Sequence, residues 1–361
     1  MPFSRIVELQ SAEFTSRAAV AGVDLPLEQS EAWDRYDEAV DGRDPYGRYI
    51  WQVDGEDRAF LSLTSFKGAG FYYLWAKHGP VWTTIPTAQE EEHFHTDLAK
   101  VLKKERKYAF VRLHAHHTSS RLHDLLQSVP FDRTVILDLT MDSEELMASM
   151  KKRGRRDVRK SLRNEDLTAQ EETANALEIF DELYELLKET GDRDGFGISP
   201  KSSYTTMLES LGGEHARVFT VRGKENEIYC WGIVTVNGPL ATYYYAASSA
   251  EGRRAGAPDL LVWFMSETLR DSGVKTFDLM GIDSERAPQL AGVRGFKTKF
   301  SEETTDVDGA WDLPLHRTRY QALKLALKGK RAAVAKVRDF KSSRSGSPDE
   351  SEATPAKADE S

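Results

Sequence analysis

Hydrophobic and polar positions follow the same order twice along the chain. The first copy spans residues 49–80 and the second spans residues 218–250, about 168 residues later. Each copy reads as three strands rich in aromatic and β-branched residues. Turn signals such as Asp54-Gly55 and Asn237-Gly238 separate neighbouring strands. The pattern therefore predicts two similar sets of antiparallel strands.

A helix and a further strand follow each copy. In residues 91–104 and again in 258–272, apolar side chains recur at the spacing of one helix face. Short strands then begin at Lys107 and Lys275. Strands, a helix and another strand, repeated, predict an α/β (α+β) fold with two tandem domains of the acetyltransferase (GNAT) type. Chance similarity between two mixed α/β halves is the alternative.

The segment 142–211 between the copies is predicted to be mostly helical. Asp142 followed by Glu145 is typical of a helix start, and residues 177–187 form a strongly apolar helical pattern. No long heptad pattern occurs there, which argues against a coiled-coil arm. From Ser342 onward the chain lacks apolar anchors, so residues 342–361 are predicted to be a disordered tail.

Composition narrows the function classes. The 361 residues suffice for two domains of ordinary size. The single cysteine, Cys230, excludes an internal disulfide and a thiolate zinc site and indicates a reducing compartment. No signal peptide or membrane span is predicted, so the protein is expected in the cytoplasm. The net charge of −9 argues against a nucleic-acid coat protein but leaves a local basic patch open.

Two basic segments stand out in this acidic chain. Residues 151–163 hold eight basic side chains and one acid. A solvated helix face and a site for phosphate or RNA backbone are both open there, since arginine suits bidentate phosphate contact. The second segment, 316–341, mixes apolar and basic residues. Packing on the first domain, a membrane-surface helix and a further RNA contact would each explain it.

An aromatic run occurs in the third strand of the second copy. In a regular strand, Tyr243 and Tyr245 would face one side and Tyr244 the other. At least one phenol could line a cleft and bind substrate, although aromatic packing in the core would explain any one of them equally.

The loop after this strand resembles the pyrophosphate loop of acetyl-CoA enzymes, in which backbone N–H groups at a helix N-terminus bind phosphate. Here Pro258 has no N–H to give. This departure counts against coenzyme A, while Arg253 and Arg254 remain candidate anion contacts.

The segment Gly-Phe-Lys-Thr-Lys-Phe at 295–300 closes the second copy. A lysine between two phenylalanines could be held by their rings and point into a cleft, where its ammonium would stabilise an oxyanion. A lysine on a surface strand is the alternative. His114, His116 and His117 form an H-x-H-H cluster, but no carboxylate stands at ligand spacing. We therefore predict no metal and no cofactor.

Seven short segments, in order, resemble one family and cover nearly all of residues 25–340. They are Gln29-Ser30 with Trp33, Gly79-Pro80-Val81, Leu137-Asp138-Leu139, and the runs 152–161, 258–263, 277–282 and 295–297. Together they resemble the Fem aminoacyltransferases that build peptidoglycan cross-bridges, in the form without a coiled-coil arm.

The resemblance implies two tandem GNAT-like domains with a cleft between them, the second domain interrupting the first. The expected ranges are 1–141 with about 306–341 for the first domain and 142–305 for the second. The implied donor is an aminoacyl-tRNA. The implied acceptor is a stem-peptide amine of a peptidoglycan precursor, either UDP-MurNAc-peptide or lipid II. Peripheral contact with the cytoplasmic face of the membrane stays open.

The resemblance also implies roles for individual residues. Lys297, beside Phe296, would handle the tRNA and stabilise the tetrahedral intermediate. The muropeptide phosphates would be bound by Tyr244 or Tyr245 together with Lys201 and Tyr204. Two departures from the family concern this acceptor pocket. Arg35, Tyr36 and Asp37 stand where the family often has a lysine, and Lys201 stands in for the usual arginine near Tyr204.

The residues leave other roles open. If the basic run 151–163 meets phosphate, the contacts expected are Arg155, Arg156, Arg159 and Lys160. Asp278, at a strand end, is either a base, a carboxylate that orients the acceptor, or a structural carboxylate bonded to nearby N–H groups. An acetyl-CoA-dependent N-acetyltransferase and a catalytically silent RNA- or muropeptide-binding module are the alternative functions.

Overall fold

A computed structural model describes residues 3–68, 70–126 and 131–329. The predicted tail at 342–361 lies outside these residues. The chain divides into two compact units, residues 1–315 and 316–361. In the second unit, residues 317–329 form a helix, and the rest of the basic segment 316–341 lies beyond the described part. Within the described ranges, no helix combines the length and the apolar character needed to cross a bilayer.

The first sheet has seven strands and carries the first copy of the repeat. Its strands are β1 (Ser4–Leu9), β2 (Arg43–Val53), β3 (Glu56–Gly68), β4 (Phe71–Trp75), β5 (Val81–Trp82), β6 (Tyr108–Ala115) and β15 (Gly309–Pro314). Their order is β1-β2-β3-β4-β6-β15, and β5 pairs with β3. Only β4 and β6 run parallel.

Three helices belong to this half: α1 (Ser11–Val20), α2 (Glu31–Glu38) and α3 (Ala88–Leu102). The predicted helix at 91–104 is therefore confirmed, and it begins three residues earlier because Thr87 and Glu90 form a capping box. Its apolar face, with Phe94 and Leu98, packs on the sheet core beside Trp51. The other sheet face receives Phe14 of α1.

The second sheet has six strands and carries the second copy. Its strands are β8 (Ile136–Asp138), β9 (Thr168–Glu171), β10 (Ala216–Arg222), β11 (Ile228–Asn237), β12 (Leu240–Ser248) and β13 (Thr276–Asp278). The order is β8-β13-β12-β11-β10-β9, and only β12 and β13 run parallel. A separate pair joins β7 (Arg133–Thr134) to β14 (Thr305–Asp306). The repeated order of antiparallel strands, helix and parallel strand confirms the predicted fold class.

Seven helices belong to the second half. They are α4 (Ser143–Ser149), α5 (Lys152–Ser161), α6 (Phe180–Asp194), α7 (Lys201–His215), α8 (Ala250–Ala255), α9 (Ala257–Asp271) and α10 (Ala291–Lys297). Asp142 caps α4 in a capping box with Glu145, as predicted. The helix predicted at 177–187 begins at Phe180 and extends to Asp194.

The chain enters the second sheet before the expected domain boundary at 141/142. Strand β8 pairs with β13 of the second sheet, although it precedes residue 142. The reason is apolar packing, since Leu137 and Leu139 are buried in the same cluster as Phe277. After β14, β15 returns to pair with β6 of the first sheet. The division into two domains stays a prediction in its other details.

Helix α2 connects the halves. It packs against α7, and its Trp33 is buried in one cluster with Phe180 and Trp231 of the second half. Just before α2, the Gln29 amide donates to the carbonyl oxygen of Lys77 at 2.6 Å. A Cβ on Gly79 would lie 2.8 Å from the Gln29 amide oxygen, so a larger residue there would displace the buried Gln29 side chain. Two of the segments that carried the family resemblance are therefore in direct contact.

Candidate functional site

A cavity of about 770 Å³ opens beside β12 in the second half. Strands β12 and β13 pair in parallel only from Leu240 to Thr242 on β12, and the cavity begins where this pairing ends. Several of the predicted site residues line it: Tyr244, Tyr245, Arg253, Phe296 and Lys297. The structure thus brings Tyr244 and Lys297, which lie 53 positions apart in the sequence, into one cavity wall.

The three tyrosines of β12 do not alternate as a regular strand would. Tyr245 pairs with Ile233 and Tyr243 pairs with Val234, so Tyr244 is the extra residue of a β-bulge. The bulge lets Tyr244 and Tyr245 pack against the same cluster, while Tyr243 lies in another. The prediction that Tyr243 and Tyr245 share a face was therefore wrong.

The hydroxyl groups of Tyr244 and Tyr245 are open to a ligand. Their rings contact each other at 5.2 Å, and burial raises the pKa of both phenols. Among the described residues, neither hydroxyl has a hydrogen-bond partner, although both side chains are only partly exposed. A phenol that stays protonated in this way can donate to a substrate oxygen.

Lys297 is the last residue of α10 and points at a tight turn. Its ammonium donates to the carbonyl oxygens of Met280 at 3.2 Å and Gly281 at 3.0 Å. Met280 has φ +63°, a left-handed conformation that is unusual for a residue with a side chain. Burial lowers the pKa of Lys297 to about 8. At pH 7 the side chain is therefore still mostly an ammonium, with one N–H left for a substrate.

The lysine held by the two phenylalanines is Lys299 rather than Lys297. Its ammonium lies 4.9 Å from the ring centre of Phe296 and 5.4 Å from that of Phe300. It also forms ion pairs with Asp157 and Asp259 and is only 7% exposed. Lys299 is therefore a paired, nearly buried residue of the cavity wall. The segment forms the end of a helix and the turn after it, not the strand that was the alternative.

Asp278 has the contacts of a structural carboxylate. It accepts hydrogen bonds from the Thr134 hydroxyl and from the N–H of Met280, at 2.7 Å for the latter. Burial raises its pKa. These bonds hold the Met280 turn, whose carbonyl oxygen in turn binds Lys297. Asp278 does not line the cavity, and its contacts match the structural alternative rather than a base.

Lys201 and Tyr204 lie apart from the cavity lining. The Lys201 ammonium is paired with Asp181 at 2.6 Å on the surface. Tyr204 is buried, its ring meets that of Tyr245 at 4.9 Å, and its hydroxyl accepts from the N–H of Ser199. Tyr204 thus packs against Tyr245 without lining the cavity. Lys201 and Tyr204 do not form the predicted acceptor pocket together, because Lys201 pairs with Asp181 on the surface.

The loop that resembled a pyrophosphate loop carries an acid where an anion would bind. Asp259, in the first turn of α9, lines the cavity and is paired with Lys299. The N–H of Asp259 is bonded to the carbonyl oxygen of Gly256, and Pro258 has none. Arg253 is exposed at the cavity rim, and Arg254 is exposed outside the lining. Because Pro258 has no N–H and the N–H of Asp259 is already bonded, this helix N-terminus has few donors left for a diphosphate.

The predicted phosphate contacts on α5 separate into two groups. Arg155 donates to the carbonyl oxygens of Ala148 and Met150 and so caps α4 internally. Arg156, Arg159 and Lys160 are exposed, and within the described ranges Arg156 pairs with no acid other than its neighbour Asp157. This exposed basic face begins beside the cavity wall, because Gly154 packs so closely on the backbone of Lys299 that a Cβ would collide with its carbonyl oxygen.

The three histidines of the H-x-H-H cluster each form a hydrogen bond within the first half. The Nδ1–H of His114 donates to the carbonyl oxygen of Asp308, and burial lowers the pKa of His114 to about 3. His116 faces the Asp308 carboxylate, and His117 faces the carbonyl oxygen of Pro86. These contacts give each ring a structural role.

Comparisons with known proteins agree with this fold. Residues 148–297 match the family described as "Acetyltransferase (GNAT) domain". A structure titled "Crystal structure of FemX" is 17% identical, with a TM-score of 0.68, over 89% of this chain and 100% of that one. This protein has a tandem GNAT fold. No curated protein matches it by sequence.

Two further solved structures are similar to this chain in fold. A tandem GNAT protein from the clavulanic acid biosynthesis pathway is 12% identical, with a TM-score of 0.50, over 87% of this chain and 99% of that one. The C-terminal domain of a putative lysylphosphatidylglycerol synthetase from Agrobacterium fabrum is 16% identical, with a TM-score of 0.52, over 88% and 97%. At these identities the likeness concerns the fold.

Sequence reasoning assigned no role to two residues of this site, Lys299 and Asp259. Both stood inside or beside segments that carried the family resemblance, but nothing in the sequence shows that they form a buried pair. An acid in the first turn of a helix that starts with proline was the available signal for Asp259.

Proposed function

We propose that this protein is an aminoacyltransferase that moves an amino acid from an aminoacyl-tRNA to the stem-peptide amine of a peptidoglycan precursor. The coarser function, an acyltransferase, is supported by the GNAT match and the fold. The observation that carries the finer proposal is Lys297: a mostly charged ammonium, held by two carbonyl oxygens, lies in one cavity with two unpaired phenols of the described chain.

The proposed aminoacyl transfer needs few catalytic groups beyond the Lys297 ammonium and the two phenols. The acceptor nitrogen attacks the ester carbon, a C–N bond forms, and the ester C–O bond breaks. The ribose oxygen leaves with a proton, and the amine gives one up. Because the ester is already activated, the chain contributes positioning and stabilisation of the carbonyl oxygen. Lys297 supplies the charge, and Tyr244 and Tyr245 hold the acceptor.

The loop before α9 favours an aminoacyl donor over acetyl-CoA. Asp259 and Pro258 occupy the position where a coenzyme A diphosphate would need N–H donors. The exposed basic face of α5 suits an RNA backbone instead. A silent binding module is the remaining rival, and the prearranged ammonium of Lys297 favours an active enzyme.

The test offers the purified protein a set of charged tRNAs with UDP-MurNAc-pentapeptide or with lipid II. We expect a mass increment of one aminoacyl residue on the stem peptide. Acetyl transfer from acetyl-CoA, with no aminoacyl transfer, would support the rival acetyltransferase. Binding of tRNA without transfer to either acceptor would support the silent module.

The basic face of α5 should make tRNA affinity strongly salt-dependent. Replacing Arg156, Arg159 and Lys160 with alanine removes three exposed cations. The slope of log Kd against log salt should then fall by about one for each phosphate that no longer meets a cation, so by about three. The measurement is a tRNA titration at several salt concentrations.

A matched control removes Lys100, Lys103 and Lys104, which are exposed at the end of α3 in the first half. The change in net charge is the same, so this variant should keep the wild-type slope. Equal slopes for the wild-type protein and the α5 variant would remove α5 from the tRNA contact.

A further inference from the structure

We propose that the basic segment 316–341 binds the surface of a membrane that contains anionic phospholipids. The sequence left three roles open for this segment, and the proposed aminoacyl transfer uses none of them. Residues 317–329 form the C-terminal helix, the part of the segment whose helical structure is described. The inference does not depend on which acyl group the protein transfers.

The segment is strongly basic within an acidic chain. Residues 316–341 hold nine lysines and arginines and one acid, although the whole chain has a net charge of −9. At physiological salt, exposed charges more than about 8 Å apart are largely screened from each other. The charges close to a contact therefore decide its sign, and this segment carries a positive field toward an anionic surface.

Three of these cations form a stripe along the C-terminal helix. Arg317, Lys324 and Lys328 are spaced i, i+7 and i+11, which places them within about 40° of each other around an α-helix. All three side chains are exposed, and none forms an ion pair with another residue that the structure describes. Their charges are therefore available to anionic groups of a partner.

An apolar patch adjoins this stripe. Leu325 is 70% exposed, and Ala322, three residues earlier on the same face, is exposed as well. On the opposite side of the helix, Tyr320 is buried and Leu323 and Leu327 are partly buried. A single exposed leucine is ordinary on a protein surface. Here it stands beside a row of unpaired cations, and the described part of the chain leaves it uncovered.

The combination favours a lipid surface over RNA. An anionic bilayer accepts both features, because its headgroups attract lysine and arginine and the region beneath them takes up apolar side chains. The long stems of Lys324 and Lys328 let their ammonium groups stay among the headgroups while Leu325 inserts. An RNA backbone would use the cations but would gain nothing from the leucine.

The test measures sedimentation of the full chain with lipid vesicles. One set of vesicles is phosphatidylcholine alone, and the other also contains about 30% phosphatidylglycerol, which makes the surface negative. We expect wild type to bind the anionic vesicles at about 0.1 M salt and not the neutral ones. Binding should weaken strongly at about 1 M salt, where the screening length falls to about 3 Å.

Replacing Arg317, Lys324 and Lys328 with alanine should weaken binding to the anionic vesicles about a hundredfold. Each basic residue near such a surface contributes about fivefold in affinity. The matched control changes the net charge equally and lacks three exposed lysines at the end of α3, Lys100, Lys103 and Lys104. This control should bind the vesicles as wild type does.

Leu325→Asn tests the apolar part of the contact. This variant keeps every charge and should still bind about tenfold more weakly, the scale for burial of one leucine side chain. Val20→Asn is its control, because Val20 is 88% exposed on α1, and it should bind like wild type. Unchanged vesicle binding in Leu325→Asn would contradict insertion of the helix.

The outcomes distinguish this proposal from the proposed function. Vesicle binding needs neither donor nor acceptor, so binding by a protein that transfers no amino acid would keep the membrane contact and remove the proposed function. Loss of tRNA affinity in the triple variant of the C-terminal helix, with vesicle binding unchanged, would assign the helix to RNA and overturn the proposal. Equal binding of wild type to neutral and anionic vesicles, with the protein folded by circular dichroism, would overturn it as well.

Discussion

Replacing Lys297 with alanine should lower kcat for aminoacyl transfer by about 10²-fold or more, the usual scale for one oxyanion donor. The ammonium is held by the carbonyl oxygens of Met280 and Gly281, so its charge is in place before the carbonyl oxygen of the ester becomes negative. The side chain is part of the cavity wall rather than of the core. The variant should therefore keep the wild-type fold.

The pH dependence of kcat should identify the protonation state that works. An ammonium that stabilises an oxyanion is active only below its pKa, so kcat should decline above about pH 8, the pKa of Lys297. Lys297→Arg should lose this decline, because a guanidinium stays charged. The ratio of the two profiles cancels titration of the acceptor amine. A ratio in which wild-type activity rises relative to the arginine variant above pH 8 would make Lys297 a base.

Lys275→Ala is the matched control, since Lys275 is exposed just before β13. It should keep wild-type kcat. Equal turnover in Lys297→Ala and Lys275→Ala would exclude Lys297 from the mechanism.

Replacing Asp312 with alanine should lower the free energy of unfolding by about 3–5 kcal/mol, as removal of one partner of a buried ion pair usually does. Asp312 binds Arg112 through two hydrogen bonds, and both side chains are almost fully buried. The pair joins β15 to β6, so it ties the returning strand to the first sheet. Urea denaturation measures the change.

The double variant Arg112→Met with Asp312→Leu is the informative companion. Without the second charge, no unpaired ion remains in this part of the core, so most of the stability should return. A loss in the double variant as large as in Asp312→Ala would show that contacts other than the ion pair hold β15 in place.

Much of the fold could be predicted because its signals are local. Alternating apolar residues defined the strands, and Asp54-Gly55 marked the hairpin between β2 and β3, where both residues have positive φ. Asp142 and Glu145 marked the start of α4. The return of β15 to the first sheet came from the family resemblance, since no local pattern states which sheet a strand joins.

The site was predicted less completely because its geometry depends on distant contacts. The bulge at Tyr244 depends on how β12 pairs with β11, which strand pattern alone does not reveal. Lys201 forms an ion pair with Asp181 on the surface, and Arg155 donates to carbonyl oxygens at the end of α4. Each is a basic residue whose partner the sequence does not identify.

Lys77 is another basic residue whose surroundings the sequence does not predict. The sequence places Lys77 between an aromatic strand and a Gly-Pro pair, and no role was predicted for it. Only the packing of α2 on the loop brings Trp33 under its ammonium.

The role of Lys297 is tested most directly by a structure of the protein with an aminoacyl-adenosine in which an amide replaces the ester. We predict that the amide carbonyl oxygen lies about 3 Å from the Lys297 ammonium, within hydrogen-bond distance, inside the cavity beside Tyr244. An analogue bound elsewhere, or one whose carbonyl oxygen points away from Lys297, would contradict this prediction.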